Sequence, residues 1–305
     1  MKILSSVLEK KLLFVSGKGG TGKSCLSACL AYAAALQGKK VLLVESAQQE
    51  QLAPLFGLPA FGHHETPIEG SLFGINLDAT ACLREYVVER LRMPRLYDKV
   101  FQNGLVKTFL ETIPGLAETM ILGRLQHTVV RNRYDVVIYD APASGHFLGM
   151  MTTLDAVLAS ELVGPLLEQV KEVRNFLATP SICGFLLVTL AEELVVNETL
   201  DFLAQLKQKS PVALSAVAIN RVLQGKEESV ALQALPPSPL QDFLLQNLHH
   251  NVTCQQWMQR ELPTYEVSPE QTFWIPELGA FPEPLTAEFV RKFLHAILSG
   301  HAPAA

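Results

Sequence analysis

The residues Gly17-Lys18-Gly19-Gly20-Thr21-Gly22-Lys23-Ser24 satisfy the pattern GxxxxGK followed by Ser or Thr. Each residue type in it has a use against a phosphate chain. Glycines let successive backbone N–H groups turn toward an anion, and a helix opening at their end adds the positive end of its dipole. Lys23 carries the charge that reaches the outer phosphates of a nucleoside triphosphate, and the Ser24 hydroxyl is an oxygen ligand for Mg²⁺. Cys25 follows directly and shares the ligand-facing stretch. A carboxylate, Asp140, ends the apolar run Tyr134-Asp135-Val136-Val137-Ile138-Tyr139. At a strand end facing the phosphates it would hold Mg²⁺ directly or through water. Behind it, Ala141-Pro142-Ala143-Ser144-Gly145-His146 is a turn-rich segment able to move with the outer phosphate. ATP and Mg²⁺ are the cofactors implied.

These residues need a scaffold that brings strand ends and a helix start to one edge. Nearly continuous apolar runs at Leu12 to Ser16, Lys40 to Glu45, Asp135 to Asp140, Gly184 to Leu190 and Ala213 to Asn220 read as parallel strands buried on both faces. Leu72 to Leu77 and Thr264 to Val267 are weaker strand candidates. Helical patterns lie between them, Cys25 to Gln37 first, so the expected fold is α/β, a doubly wound, mostly parallel sheet flanked by helices. The chain reads as a single domain over 1–305, with a helical insert at about 79–126 and a frayed tail at 299–305. Gly225 to Pro239, ending in Pro236-Pro237-Ser238-Pro239, reads as an exposed loop.

Composition narrows the function. Of the 305 residues 49% are hydrophobic and 18% charged, which supports a large core and excludes disorder along most of the chain. A net charge of −5 disfavours nucleic acid as the ligand, because phosphate neutralisation calls for a basic excess. No apolar run reaches the length of a spanning helix and the N-terminus is no secretory signal, so the expected location is the cytoplasm. Five scattered cysteines with no CxxC pair argue against a disulfide framework or a structural zinc site. His63-His64-Glu65 and His249-His250 read as surface residues, since adjacent side chains diverge and rarely chelate one ion. The segment Leu285 to Leu298 is amphipathic, with too little basic charge to anchor it to a membrane; peripheral membrane contact is unsupported.

The lysine at the start of the loop, Lys18, gives the deviant form of the motif, GKGGxGK. It resembles the signature lysine of the ParA, MinD, nitrogenase iron protein and arsenite-pump ATPases, where it crosses a dimer interface to the partner's nucleotide. Asp140-Ala141-Pro142-Ala143-Ser144-Gly145-His146 resembles the D-T-A-P-T-G-H switch II of the arsenite-pump and tail-anchored-protein-targeting ATPases, the ArsA/GET3-like group. Gly164-Pro165, Val188-Thr189-Leu190-Ala191-Glu192-Glu193-Leu194 and Glu198-Thr199 are further matches, and the insert is most similar to a bacterial ArsA-like branch. The resemblance implies that Lys18 acts in trans, that Asn220 and Arg221 at a strand end and Pro276 in a later loop hold the adenine, and that His146 stabilises switch II. It also implies a homodimer, or a heterodimer with a paralogous ATPase, controlling an unknown protein client.

The departures are as informative. Cys25 and Cys29 do not form the family's zinc or metalloid ligand sets and read as packing residues. In switch I, Glu45-Ser46-Ala47-Gln48-Gln49-Glu50, the family's water-orienting aspartate falls on Ala47, leaving Glu45 or Glu50 to substitute. Lys18, Lys23 and Glu45 are therefore the expected catalytic set, with slow hydrolysis. The insert's apolar residues, Tyr86, Val87, Leu91, Leu96, Phe101, Leu105, Phe109 and Leu110, suit a small helical core or a groove for a hydrophobic client segment. Two other functions stay open: a catalytically weak subunit regulating a paralogous ATPase, and a MinD/ParA-like positioning ATPase.

Overall fold

A computed structural model describes residues 6–90, 115–159, 164–223, 225–279 and 281–299. Eight strands form one sheet: β1 (Leu12–Gly17), β2 (Val41–Glu45), β3 (Thr66–Glu69), β4 (Leu72–Asn76), β5 (Val136–Asp140), β6 (Cys183–Leu190), β7 (Leu214–Val222) and β8 (Thr272–Pro276). Their spatial order is β3-β4-β2-β5-β1-β6-β7-β8, parallel except for the β3–β4 edge pair. The fold is thus the α/β, mostly parallel sheet that the apolar runs imply.

Among the described residues the helices are α1 (Lys23–Leu36), the single turn α2 (Leu52–Leu55), α3 (Ala79–Glu85), α4 (Leu116–Val130), α5 (Ser144–Leu158), α6 (Pro165–Leu177), α7 (Glu193–Lys209), α8 (Gly225–Gln233), α9 (Pro239–Glu261) and α10 (Ala287–Ser299). Alternate strand residues feed two separate cores. Leu12 and Phe14 of β1 join one face with α4 to α7 and α9, while Leu13 and Val15 join the other with α1 and α10. The period-2 geometry of a strand makes this division, and burial on both faces makes the strands apolar throughout. Under α5 an aromatic row fixes the first face: Phe14 meets Tyr139 at 5.7 Å and Phe147 at 5.6 Å, and Phe147 meets Phe185 at 4.5 Å. Each such side chain contributes on the order of 1.5–3 kcal/mol by burial.

Three expectations are corrected. Thr264 to Val267 is not a strand: Leu262–Tyr265 is a 3₁₀ turn with Pro263 near its start, and the last strand is β8. Proline lacks the N–H a strand ladder needs but suits the first turn of a helix. Gly225 to Pro239 is not a loop throughout, because it contains α8; Ser238 then caps α9 by accepting from the Gln241 N–H at 3.2 Å, with Pro239 in the first turn. His63 is not a plain surface residue, since its side chain is 17% exposed and lies 3.3 Å from Glu85. Of the insert, α3 runs on as a π-helical turn over Tyr86–Arg90, and α4 begins after Gly115, whose φ is 80°. Leu91, Leu96, Phe101, Leu105, Phe109 and Leu110, and the tail beyond Ser299, lie outside the described residues. The amphipathic C-terminal helix α10 spends its apolar face on the core, with Val290, Phe293 and Ile297 buried against the α1 side.

Candidate nucleotide site

β1 lies between β5 and β6, and Glu45 of β2 pairs in register with Asp140 of β5. The C-terminal ends of β1, β2, β5 and β7 therefore share one edge, and the Gly-rich loop leaves β1 there for α1. This is the crevice in which open α/β sheets take their ligands. The loop is locked by its neighbours. A side chain at Gly17 would put Cβ 2.0 Å from the Val188 carbonyl oxygen. Gly22, with φ of 90°, faces the Asn220 Nδ2 so closely that a Cβ would sit 2.5 Å from it. Thr21 Oγ1 donates to the Lys18 carbonyl at 2.8 Å and closes the loop's own turn.

The expected metal side is built from oxygen. Ser24 Oγ donates to one Asp140 oxygen at 2.6 Å, and Ser27 Oγ, one helical turn on, donates to the other at 3.1 Å. Burial raises the Asp140 pKa, opposed by the Ser24 bond, the Lys23 charge and the Ser27 bond. A desolvated carboxylate beside a hydroxyl, both all-oxygen donors, fits Mg²⁺, which favours oxygen ligands and phosphate bridging. Ser24 and Asp140 are brought together as the sequence predicts. Ser27 was missed, although its three-residue spacing from Ser24 puts it on the same helix face.

The two switch segments are tethered. Ser16 Oγ donates to the Pro142 carbonyl at 2.5 Å, and α5 starts at Ser144, so His146 lies exposed in its first turn. In switch I, Asn76 clamps Ala47 twice, accepting from its N–H at 3.0 Å and donating to its C=O at 2.9 Å. Ser46 Oγ meets the hydroxyl of fully buried Tyr139 at 2.6 Å. Glu45, 2% exposed, accepts from the backbone N–H of Gln51 (3.0 Å) and Leu52 (3.3 Å) and so caps α2. Burial pushes its pKa up to about 7, with the nearby Glu50 and Asp140 charges adding to the effect and the two N–H bonds opposing it. Glu50 is bound elsewhere, to the N–H groups of Phe61 and Gly62. Lys18 pairs with Glu198 of α7 at 2.7 Å, both side chains partly exposed.

The expected base-side residues also converge. Cys25, Asn220, Arg221 and Pro276, with Phe281 and Phe289, line a cavity of about 230 Å³ beside the loop. Asn220 Nδ2 donates to the Thr21 carbonyl at 2.9 Å, and its Oδ1 accepts from the Arg221 N–H at 3.0 Å, so this side chain ties the cavity to the phosphate loop. Arg221 adopts φ of 53°, uncommon for a bulky residue, and its guanidinium lies 3.8 Å from Glu277. Burial raises the Cys25 thiol's pKa, and Cys29 is fully packed under the sheet.

Comparison with known proteins settles the lineage. The family model of the anion-transporting ATPases, ArsA ATPase, matches residues 10–163, which carry the loop, both switches and Asp140. The chain belongs to the ArsA ATPase family. It is 32% identical over 222 residues to ATPase BagA of Mycobacterium tuberculosis, covering 69% of this chain and 65% of that protein. It is 24% identical over 253 residues to ATPase GET3 of Rhodotorula glutinis, covering 72% of each, and 26% identical over 257 residues to ATPase get3 of Schizosaccharomyces japonicus, covering 72% of this chain and 78% of that one. The match thus spans a little under two thirds of the mycobacterial relative's length. Among the described residues no helix is long and apolar enough to cross a membrane.

Proposed function

We propose that this ArsA-family chain is a cytoplasmic Mg²⁺-dependent ATPase, one ATPase domain with a helical insert, which closes as a dimer over ATP and so controls a protein client. The observation that carries the reading is the Ser24–Asp140 hydrogen bond at 2.6 Å, at the start of the helix that follows the Gly-rich loop. It joins a helix-start hydroxyl to a strand-end carboxylate, the pair that would hold Mg²⁺ against the outer phosphates. The metal would neutralise charge that develops on the transferred phosphoryl group. Gly17 to Gly22 would wrap the phosphates with backbone N–H groups, Lys23 would neutralise the outer ones, and Asn220, Arg221, Pro276 and Cys25 would enclose the base. Lys18 would leave Glu198 for the partner's nucleotide. That exposed ion pair is worth on the order of 0–1 kcal/mol, little to surrender.

Hydrolysis would be slow. Ala47 has no group to orient water, and the Glu50 carboxylate is engaged with two backbone amides. Glu45, with a pKa near neutrality, is the remaining acid suited to accept a proton. The same observations favour a second reading, a nucleotide-binding subunit that regulates a paralogous ATPase. Steady-state ATPase activity and oligomeric mass, with and without ATP and Mg²⁺, test both. Metal-dependent turnover that Lys23→Ala abolishes supports the first; firm ATP binding without turnover favours the second; nucleotide affinity unchanged in Lys23→Ala overturns both.

A further inference from the structure

Where the chain leaves the nucleotide site for the insert, four segments are joined by side chains that none of the phosphate, metal or base contacts require. Glu50, at the end of switch I, accepts from the N–H of Phe61 at 2.5 Å and of Gly62 at 2.9 Å. The next residue, His63, accepts at Nδ1 from the N–H of Asp78 at 3.1 Å, and its Nε2 lies 3.3 Å from Glu85 Oε1, a close charge contact and not an aligned hydrogen bond. The second Glu85 oxygen lies 2.8 Å from Arg124 Nε on α4. Asn76 closes the ring: its side chain holds Ala47, and its own N–H donates to the Gly62 carbonyl at 2.7 Å.

The ring has a direction. Its first members are switch I itself, and its last are the two insert helices, with Asp78 capping α3 by accepting from the Ala81 N–H at 2.8 Å. The three charged or polar side chains at the far end are 17%, 29% and 19% exposed, so their contacts are only weakly screened by solvent. Burial works against ionised Glu85, yet His63 and Arg124 hold its carboxyl below the usual carboxylate range. A displacement of residues 47–50 would thus reach the 61–64 loop through Glu50 and, from His63, the α3 start and Glu85.

We propose that His63 and Glu85 are the coupling residues that convey the position of switch I to helices α3 and α4, so that the insert senses nucleotide through this pair. The proposal rests on the reading that the site binds Mg²⁺ and ATP. Neither residue touches the phosphate loop or Asp140, so both can be changed without dismantling the nucleotide site.

The test is hydrogen exchange on the full chain, with and without Mg²⁺ and ATP, followed at residues 79–88 and 116–130. In the unmodified protein ATP should change exchange there by about fivefold or more, the scale of ordinary site-to-site coupling. His63→Ala and Glu85→Gln should each keep ATP affinity within about threefold and lose most of that change, and the double variant should lose no more than either alone. If His63→Ala does not fold, Glu85→Gln, which has nearly the same volume, carries the test. Full ATP-dependent changes in the folded variants, or losses that add in the double variant, overturn the coupling. Unmodified protein that binds ATP without any change in these helices overturns it too and leaves the nucleotide reading standing; failure to bind ATP at all overturns that reading, and the coupling with it.

Discussion

Glu45 offers a sharp quantitative test, because burial and its two N–H bonds push it in opposite directions. Burial raises its pKa from 4.5 to about 7 in the folded protein. Below about pH 4.5 both folded and unfolded chains carry the proton. Between about 4.5 and 7 the unfolded chain ionises first while the folded one keeps its proton, so stability falls as pH rises through that window. The gap corresponds to about 3 kcal/mol, all of it lost above neutrality. Glu45→Gln removes the titration. The amide oxygen can still accept from either the Gln51 or the Leu52 N–H, while the other faces an NH₂ group, at a cost of about 1–3 kcal/mol. The variant should therefore be less stable than its parent at about pH 4.5 and should close that gap, or cross over, by about pH 8, a relative change of about 3 kcal/mol. Urea unfolding of the nucleotide-free protein at a series of pH values measures this directly. Parallel stability curves would refute the raised pKa. A parent that gains on the variant as pH rises would mean that the two N–H bonds outweigh burial and that Glu45 is an ordinary ionised cap, unfit to take a proton near neutrality.

Three further outcomes follow from the site. Asp140→Asn should keep metal-free nucleotide affinity but lose at least about tenfold of the Mg²⁺-dependent tightening, read by calorimetry with and without the metal; equal strengthening in both proteins would remove Asp140 from the metal shell. Lys18→Ala should fold normally, since its pair with Glu198 is exposed, and bind nucleotide, yet fail to show an ATP-tightened dimer in sedimentation. Ala47→Asp should raise turnover, by up to a factor of ~10² to 10⁴ where the new carboxylate reaches the water, because Asn76 already fixes the backbone at that position; unchanged turnover would refute the alignment of Ala47 with the water-orienting residue.

Much of this site was legible in the sequence because its determinants are local. The Gly-rich loop needs one contiguous run, and the β5 run ending in Asp140 needs one strand, so spacing alone names Lys23, Ser24 and Asp140. Five of the strands were found from long apolar runs buried on both faces. Two were missed for different reasons: β3, Thr66–Glu69, is an edge strand with alternating exposure and a proline, whereas β8 is buried on both faces but short and follows directly on a 3₁₀ turn. Gly225 to Pro239, which contains α8, was read as a loop because Pro236-Pro237-Ser238-Pro239 signals a break, whereas Ser238 and Pro239 also make a helix start.

What spacing cannot show is the partner of a polar side chain far away in the chain. Asn76 reaches back to Ala47, Asn220 to Thr21, and Glu198 to Lys18, across separations that only the sheet order brings together. The same limit governs Glu45 and Glu50. As strand-end and helix-face acids both could replace the acid absent at Ala47, with Glu45 placed in the expected catalytic set, and their hydrogen bonds distinguish them. Glu50 satisfies the amides of Phe61 and Gly62, while Glu45 lies in register with Asp140 and has its pKa raised toward neutrality. A carboxylate that anchors a loop is most useful ionised, and one that accepts a proton is most useful near its pKa. On the proposed reading the two acids have different tasks, Glu50 in transmission and Glu45 in the chemistry, and a glutamine at each should impair a different measurement: insert exchange for Glu50, the pH dependence of stability for Glu45.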